Sequence, residues 1–153
     1  MPLLLVLLGC EPDTVCRTEE NVYLKCVFSC DSMVTTADST YYVSFTSIDS
    51  VSAVGVGRDS LLYDNQKAVS SLLLPLRRDT TVSRFALTLN GQTDTLAVIH
   101  ENRDYFVSLA CGCFVYHTLD TVLSATGVIT GSQILNSSVE NVEQENVKLL
   151  IRL

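Results

Sequence analysis

Apolar and polar residues alternate along most of this chain, and that alternation constrains its fold more than any other feature. The clearest early case runs from position 22 to position 30, where one side of the chain carries Val22, Leu24, Cys26, Phe28 and Cys30. A period of two is typical of a strand that buries one face. We find no sustained helical period, so the sequence predicts an all-β domain.

Similar segments recur along the rest of the chain, at 41–48, 50–56, 60–63, 69–76, 105–117, 128–132 and 147–153. Polar turns are predicted between them at 31–40, 64–65 and 102–104. Pro75 cannot donate a ladder hydrogen bond, so its segment is expected at a sheet edge. About eight to ten short strands separated by turns predict an antiparallel β-sandwich, with a β-barrel as the alternative.

The strongest local prediction is a hairpin over residues 80–101. Alternating runs flank the dipeptide Asn90-Gly91, and both residues tolerate the positive φ that a two-residue hairpin turn requires. The terminal run is expected to point Val147, Leu149, Ile151 and Leu153 inward, and it is of the kind that closes a sheet.

The first ten residues, MPLLLVLLGC, place an apolar run directly before a Gly-Cys pair. The run is too short to span a bilayer but fits the apolar region of a secretory signal. Leu7-Leu8-Gly9-Cys10 resembles the lipobox of bacterial lipoproteins, in which the chain is cut before the cysteine and that cysteine is acylated. Residues 1–9 are therefore interpreted as a signal peptide. Because positive charge is missing from its start, we expect this signal to be N-terminally truncated.

Three segments follow from this interpretation. Cys10 is the predicted lipidation site, residues 10–21 form an acidic tether, and residues 22–153 form a single β-sandwich domain. The chain has 10 Lys and Arg against 17 Asp and Glu, a net charge of −7, and no basic patch. Nucleic-acid binding depends on neutralising phosphates, so nucleic acid is not an expected partner.

Cysteines in an exported chain are disulfide candidates. With Cys10 acylated, five remain, an odd number: Cys16, Cys26, Cys30, Cys111 and Cys113. Two of them share a face of the first strand and two share a face of the 105–117 strand, which allows a cross-link between those strands. A zinc site built from these four cysteines is a weaker alternative, because the spacing is unusual. So is a redox dithiol at Cys111-Gly112-Cys113, because a strand offers no thiol activation.

No catalytic or metal site and no cofactor motif is predicted. Ser and Asp residues are numerous, but none lies in a nucleophile elbow. The stretch His100-Glu101-Asn102-Arg103-Asp104 lacks the second histidine of a metalloprotease motif. Four tyrosines are candidates for stacking against a small ligand or glycan, namely Tyr41, Tyr42, Tyr105 and Tyr116.

Several stretches of the chain together resemble an uncharacterised family of Bacteroidota cell-envelope lipoproteins of unknown function. They are GVGRDSLLYDN (55–65), SLLLPL (71–76), DTTVSRFALTL (79–89), DTLAVIH (94–100), YFVSLACGC (105–113) and ENVKLLIRL (145–153). The resemblance implies a location in the envelope but no activity. It also implies a disulfide between Cys16 and Cys111.

The sequence thus predicts a lipid-anchored envelope protein that is not an enzyme and has a structural or protein-interaction role. It is expected at the outer membrane, facing the periplasm or the cell surface, with its membrane contact through Cys10 and with an envelope protein as partner. An exposed sheet edge is one route to such binding. The alternatives are a small-ligand or glycan-binding module and a thiol-active or metal-binding protein.

Overall fold

A computed structural model describes residues 21–44, 47–125 and 127–152. These residues form eleven β-strands and no helix, which confirms the all-β prediction. In chain order the strands are β1 (Leu24–Thr35), β2 (Thr40–Ser44), β3 (Ile48–Gly55), β4 (Leu61–Val69), β5 (Ser71–Leu74), β6 (Val82–Leu89), β7 (Gln92–Ser108), β8 (Gly112–Ser124), β9 (Ile129–Ile134), β10 (Ser138–Val139) and β11 (Glu145–Ile151).

The strands belong to two sheets. The first has the order β2-β1-β11-β9, and β5 pairs with the first half of β1, on the side where β2 pairs with its second half. The second has the order β10-β8-β7-β6-β3-β4, and its pairs are all antiparallel. In the first sheet β1 and β11 run parallel, so this sheet is mixed.

A single hydrophobic core lies between the sheets. Alternate residues of each sheet are fully buried in it: Leu24, Cys26, Leu72, Val147, Leu149 and Ile151 from the first, and Val51, Ala53, Leu87, Leu89, Leu96 and Val98 from the second. Burying one such aliphatic side chain contributes about 1.5–3 kcal/mol. Two sheets packed over one core make a β-sandwich, as predicted.

The predicted hairpin is confirmed at its turn. Asn90 and Gly91 have φ values of 48° and 81°, and Leu89 pairs with Gln92 across a two-residue loop. The predicted inward residues of the last strand are confirmed for Val147, Leu149 and Ile151, whereas Leu153 lies outside the described residues. This strand lies between β1 and β9 and not at the end of a sheet.

The interpretation of residues 105–117 as one strand is wrong. β7 ends at Ser108, the chain turns at 109–111, and β8 begins at Gly112, whose φ is +72°. The turn reverses the pattern of faces, so Phe114 and Tyr116 are buried while Cys113 is exposed. The turn was missed because its residues are apolar and give no polar turn signal.

Three predicted turns are also corrected. β1 continues to Thr35, which shortens the loop predicted at 31–40. Asn65 has φ 45° but lies inside β4, where the register with β3 shifts, so it belongs to an irregularity of the strand and not to a turn between strands. Residues 102–104 lie within the long strand β7. The edge position predicted from Pro75 is confirmed, since β5 ends just before it and pairs with β1 on one side.

The buried carboxylate of Asp94, on β7, is hydrogen-bonded to the start of β9 in the other sheet. Oδ1 of Asp94 accepts the N–H of Thr95 at 2.8 Å, and Oδ2 accepts the N–H of Ile129 at 2.9 Å. Gly127 lies against this carboxylate, and a Cβ at position 127 would stand 2.8 Å from Oδ2. A side chain at position 127 would therefore force the carboxylate or the backbone to move.

Within the described part of the chain, no helix has the length and apolar character needed to cross a bilayer.

Candidate functional site

The predicted disulfide candidates have different environments. Cys26 and Cys30 on β1 and Cys113 on β8 are free, so the cross-link allowed between these strands is not formed. Cys26 points into the core whereas Cys113 is exposed on the other sheet. Cys111, in the β7–β8 turn, is not free. Its expected partner Cys16 lies outside the described residues, as does Cys10.

The thiols of the described residues belong to no metal-binding cluster. Complete burial raises the pKa of Cys26 to about 12, because the core cannot solvate a thiolate. Across residues 21–44, 47–125 and 127–152, no three His, Cys, Asp or Glu side chains are grouped so that they could hold a metal ion.

The candidate tyrosines are not gathered at one place. Tyr105 and Tyr116 stack with ring centroids 5.0 Å apart, but Tyr116 is buried and donates its hydroxyl hydrogen to Oδ1 of Asn141 at 2.7 Å. Tyr41 is exposed on β2 of the other sheet. The side chain of Tyr42 lies outside the described part of the structure.

The most organised polar group is a buried chain of four side chains on β6, β7 and β8: Ser83, His100, Asn102 and His117. Nε2 of His100 is 2.9 Å from Oγ of Ser83, and its Nδ1 is 2.9 Å from Oδ1 of Asn102. Nδ1 of His117 reaches the same Asn102 oxygen at 2.7 Å. The two imidazole rings meet edge to face at 5.0 Å. We call these four residues the histidine–asparagine chain.

The protons of this chain can be assigned from its fixed partners. The amide nitrogen of Asn102 donates to the carbonyl oxygens of Arg78 at 3.1 Å and Thr80 at 2.7 Å, so Oδ1 faces the two histidines. Both imidazoles therefore carry their proton on Nδ1 and donate it to Asn102. His100 is left with an acceptor nitrogen, to which Ser83 donates its hydroxyl hydrogen.

Burial keeps both histidines neutral. Desolvation lowers the pKa of His117 to about 4, with smaller contributions from the nearby His100 and Arg78. Desolvation also lowers the pKa of His100, although the hydrogen bond that its ring donates to Asn102 opposes the shift. A neutral imidazole beside a serine hydroxyl has the connectivity of a serine nucleophile and its base.

Two observations favour a structural role for this group. Ser83 is almost fully buried, and its oxygen already accepts the backbone N–H of Arg77 at 2.8 Å. Asn102 holds the carbonyls of the same segment. The histidine–asparagine chain therefore fixes residues 77–80 against the second sheet.

Directly beside Ser83 lies a pocket of about 90 Å³ with three arginines. It is formed by the loop after β3, the segment after β5, and the start of β6. Its lining is Gly55, Val56, Arg58, Ser60, Leu62, Pro75, Leu76, Arg77, Ser83, Arg84 and Phe85. We call it the arginine pocket.

The other distinctive surface is the far end of the β7–β8 hairpin, residues 103–113, which we call the hairpin arm. Four consecutive residues, 103–106, are exposed, so both faces of β7 are free of the sandwich there. The arm carries three exposed apolar side chains: Tyr105 at 50%, Phe106 at 60% and Leu109 at 98% exposure.

Sequence analysis missed both the histidine–asparagine chain and the arginine pocket. A signal for the first was present, because Leu96, Val98, His100 and Asn102 follow one another at a period of two. This places His100 and Asn102 on the core-facing side. The predicted turn at 102–104 obscured it. The pocket gave no local signal, since three distant segments form it.

The chain matches a known protein family. The model of DUF6452, described as a family of unknown function, matches residues 50–151. Those residues include the histidine–asparagine chain, the arginine pocket and the hairpin arm. No curated protein and no solved structure matches the chain.

Proposed function

The chain belongs to DUF6452, a family of unknown function, and we propose that this member is a lipid-anchored cell-envelope protein that binds a partner without catalysis. The single observation that supports partner binding is the hairpin arm. Exposed apolar side chains that lie together commonly mark interaction surfaces. Here three of them lie at the end of one hairpin, with Tyr105 and Phe106 on its opposite faces.

The proposed anchor is Cys10. The apolar run before it and the lipobox-like Leu7-Leu8-Gly9-Cys10 support cleavage and acylation at that residue. Stable anchoring takes more than one acyl chain, which lipoprotein processing of this type provides. Incorporation of labelled palmitate, lost in Cys10→Ala, tests this step. A Cys10→Ala variant that is still labelled would contradict it.

The environment of Ser83 supports the proposal that the protein does not act as an enzyme. Ser83 has the hydrogen bond to His100 that a nucleophile would need, but its hydroxyl is buried and already accepts the N–H of Arg77. A nucleophile must reach the atom that it attacks. The hydroxyl of Ser83 is instead hydrogen-bonded to the segment after β5.

We also propose that Cys111 pairs with Cys16. Cys16 lies six positions after Cys10, and a fully extended chain covers at most about 3.6 Å per residue. Adding about 6 Å between the Cα atoms of a disulfide, the turn of the hairpin arm would then lie within about 28 Å of the acylated cysteine. The arm would thus be held near the membrane, and a membrane-associated envelope protein is the partner that fits.

The sheet edge on one side of the sandwich is less suited to binding by strand addition. β4 contains two residues with positive φ, Asn65 and Ala68, and its register with β3 is irregular. The hydroxyl of Tyr63 accepts the N–H of Leu73 at 2.8 Å and so occupies a donor on the free side of β5. Irregular and covered edges make poor templates for another strand.

Site-specific photo-crosslinking in cells tests the arm as the binding surface. A photoreactive residue at position 106 should capture one discrete partner band. The matched control is position 92, which is exposed at the opposite end of the same strand. Phe106→Ser and Leu109→Ser should reduce capture without lowering the melting temperature. Equal capture from positions 92 and 106, or none from either, would contradict the proposal.

A further inference from the structure

The arginine pocket includes neither the proposed anchor Cys10 nor any residue of the hairpin arm. Three of the seven arginines of the chain line this one small pocket, together with the hydroxyl-bearing residues Ser60 and Ser83. No acidic residue is among its lining residues. In a chain of net charge −7 such a concentration of positive charge is unexpected. By comparison, the groove that contains Lys25 and Lys148 also contains Glu145.

Among the described residues, two of the three guanidinium groups have no carboxylate partner. Arg77 is paired with Asp79 through contacts of 3.0 Å from Nε to Oδ1 and 2.6 Å from Nη2 to Oδ2. Arg58 and Arg84 form no ion pair with any residue in the described part of the chain. About two positive charges therefore remain uncompensated at the pocket.

The walls that carry these charges are held in place. The backbone N–H of Arg58 donates to the carbonyl of Gly55 at 3.0 Å, and the Cδ of Arg58 lies 3.4 Å from where a Cβ on Gly55 would stand. The N–H of Arg77 is fixed on Ser83, which the histidine–asparagine chain anchors. The hydrogen bond from Arg77 is the main cause of the lowered pKa of Asp79, and the charge of Arg58 contributes least to it.

From this geometry we propose that the arginine pocket binds the phosphate group of a phosphate monoester. Guanidinium groups match phosphate oxygens with paired hydrogen bonds. A phosphate monoester carries about −1.5 to −2 charges at neutral pH, which matches two uncompensated arginines better than a carboxylate does. The size is consistent with one such group, because pockets for whole drug-sized ligands are about 300–1,000 Å³. Exposed apolar lining residues such as Val56 and Leu62 suit a ligand whose remainder is apolar.

The test uses the full chain with Cys10→Ser, which cannot be acylated, in low-salt buffer at pH 7.5. Phenyl phosphate and inorganic phosphate should bind saturably by isothermal titration, whereas benzoate and acetate should bind at least about tenfold more weakly. Arg58→Gln and Arg84→Gln should each weaken phenyl phosphate binding about tenfold, the loss expected for a charge-assisted hydrogen bond. The matched control is Arg103→Gln, an exposed arginine on the hairpin arm, which should bind as the parent does.

Two outcomes would overturn the proposal. One is phenyl phosphate binding that is unchanged in Arg58→Gln and Arg84→Gln or equally weakened in Arg103→Gln. The other is benzoate binding as tight as that of phenyl phosphate. Melting temperatures identify variants that fail to fold, and Arg58→Lys, which keeps the charge, should retain part of the affinity.

The source of the phosphate group is resolved by a second arm of the experiment. Phosphatidylcholine vesicles containing phosphatidic acid, which bears a phosphate monoester, are compared with phosphatidylcholine alone. Co-sedimentation that depends on Arg58 and is displaced by phenyl phosphate would assign a lipid headgroup. Binding of soluble phenyl phosphate without co-sedimentation would assign a free phosphorylated molecule. Both results support the pocket as a phosphate site.

Discussion

Asp94, on β7 of the second sheet, supports the connection between β8 and β9 by which the chain enters the first sheet. Its carboxylate is buried and accepts two backbone N–H groups, those of Thr95 and Ile129, which are far apart in the chain. A buried carboxylate is costly unless it is hydrogen-bonded, and here both oxygens are used. At Ile129 the side chain supplies the acceptor for a backbone N–H where the chain enters the first sheet.

Asp94→Ala should lower the free energy of unfolding by about 3 kcal/mol, because two buried N–H groups lose a charged acceptor. Urea denaturation measures the change. Asp120→Ala, which removes an exposed aspartate from β8, should change stability by less than about 0.5 kcal/mol. Equal effects of the two substitutions would show that the buried carboxylate contributes no more to the free energy of unfolding than an exposed one.

Gly127→Ala tests the same corner from its other side. A Cβ 2.8 Å from Oδ2 of Asp94 forces the backbone or the carboxylate to move, so we expect a loss of about 1–3 kcal/mol. In the double variant with Asp94→Ala the loss at position 127 should become smaller, since the clashing atoms are gone. Strict additivity of the two losses in urea denaturation would contradict the contact.

His117 should titrate far below an ordinary histidine. Its pKa of about 4 lies below the unperturbed value of about 6.5, so the unfolded chain binds the proton more readily between these values. The stability contributed by the neutral ring is complete above about pH 6.5 and is lost as the pH falls toward 4. An NMR titration of the imidazole measures the midpoint directly. A midpoint near 6.5 would mean that the ring is solvated.

At the scale of elements, Asn102 connects three strands to one loop. It accepts from histidines on β7 and β8 and donates to the carbonyls of Arg78 and Thr80, while Ser83 on β6 completes the chain. The segment 77–80 has no strand partner, and these side chains satisfy its backbone instead. The position of Arg77 beside the arginine pocket follows from this support.

Asn102→Ala should lower the free energy of unfolding by about 3 kcal/mol, since two imidazole N–H groups and two carbonyl oxygens lose their partner. Hydrogen exchange at the amide of Arg77 should also accelerate, because its acceptor Ser83 would no longer be held. Gln92→Ala removes an exposed amide from the same strand and serves as the control. Unchanged exchange at Arg77 would contradict the proposed support.

What the sequence could predict at this scale depended on how local the signal was. Asn90-Gly91 fixes its hairpin because two adjacent residues with positive φ are sufficient for the turn. The turn at 109–111 was missed because Leu109 and Ala110 continue the apolar run, and only Gly112 interrupts it. The arginine pocket could not be predicted, since Arg58, Arg77 and Arg84 meet through the pairing of strands that are distant in sequence.

At the scale of the whole molecule, the first sheet depends on pairing between β1 and β11, its first and last strands in sequence. β11 lies between β1 and β9 and is parallel to β1, and Lys25 and Asn146, linked at 3.1 Å, are 121 residues apart. The fully buried residues Val147, Leu149 and Ile151 come from this last strand. The core is therefore incomplete until the end of the chain is in place.

A chain ending at residue 144 should consequently fail to fold, because it loses the strand that joins β1 to β9. Circular dichroism and the urea transition distinguish the folded from the unfolded chain. A chain ending at residue 152, which retains all of β11, should fold like the full-length protein. A cooperative transition in the shorter chain would show that the two sheets do not need β11.

Of the described strands, β11 is synthesised last, which affects how the first sheet can form. Until residues 145–151 have been synthesised, β1 lacks its partner on the side where β11 pairs, and pairing across so long a stretch of chain is slow. The first sheet therefore cannot be complete before the strand that lies between β1 and β9 is available.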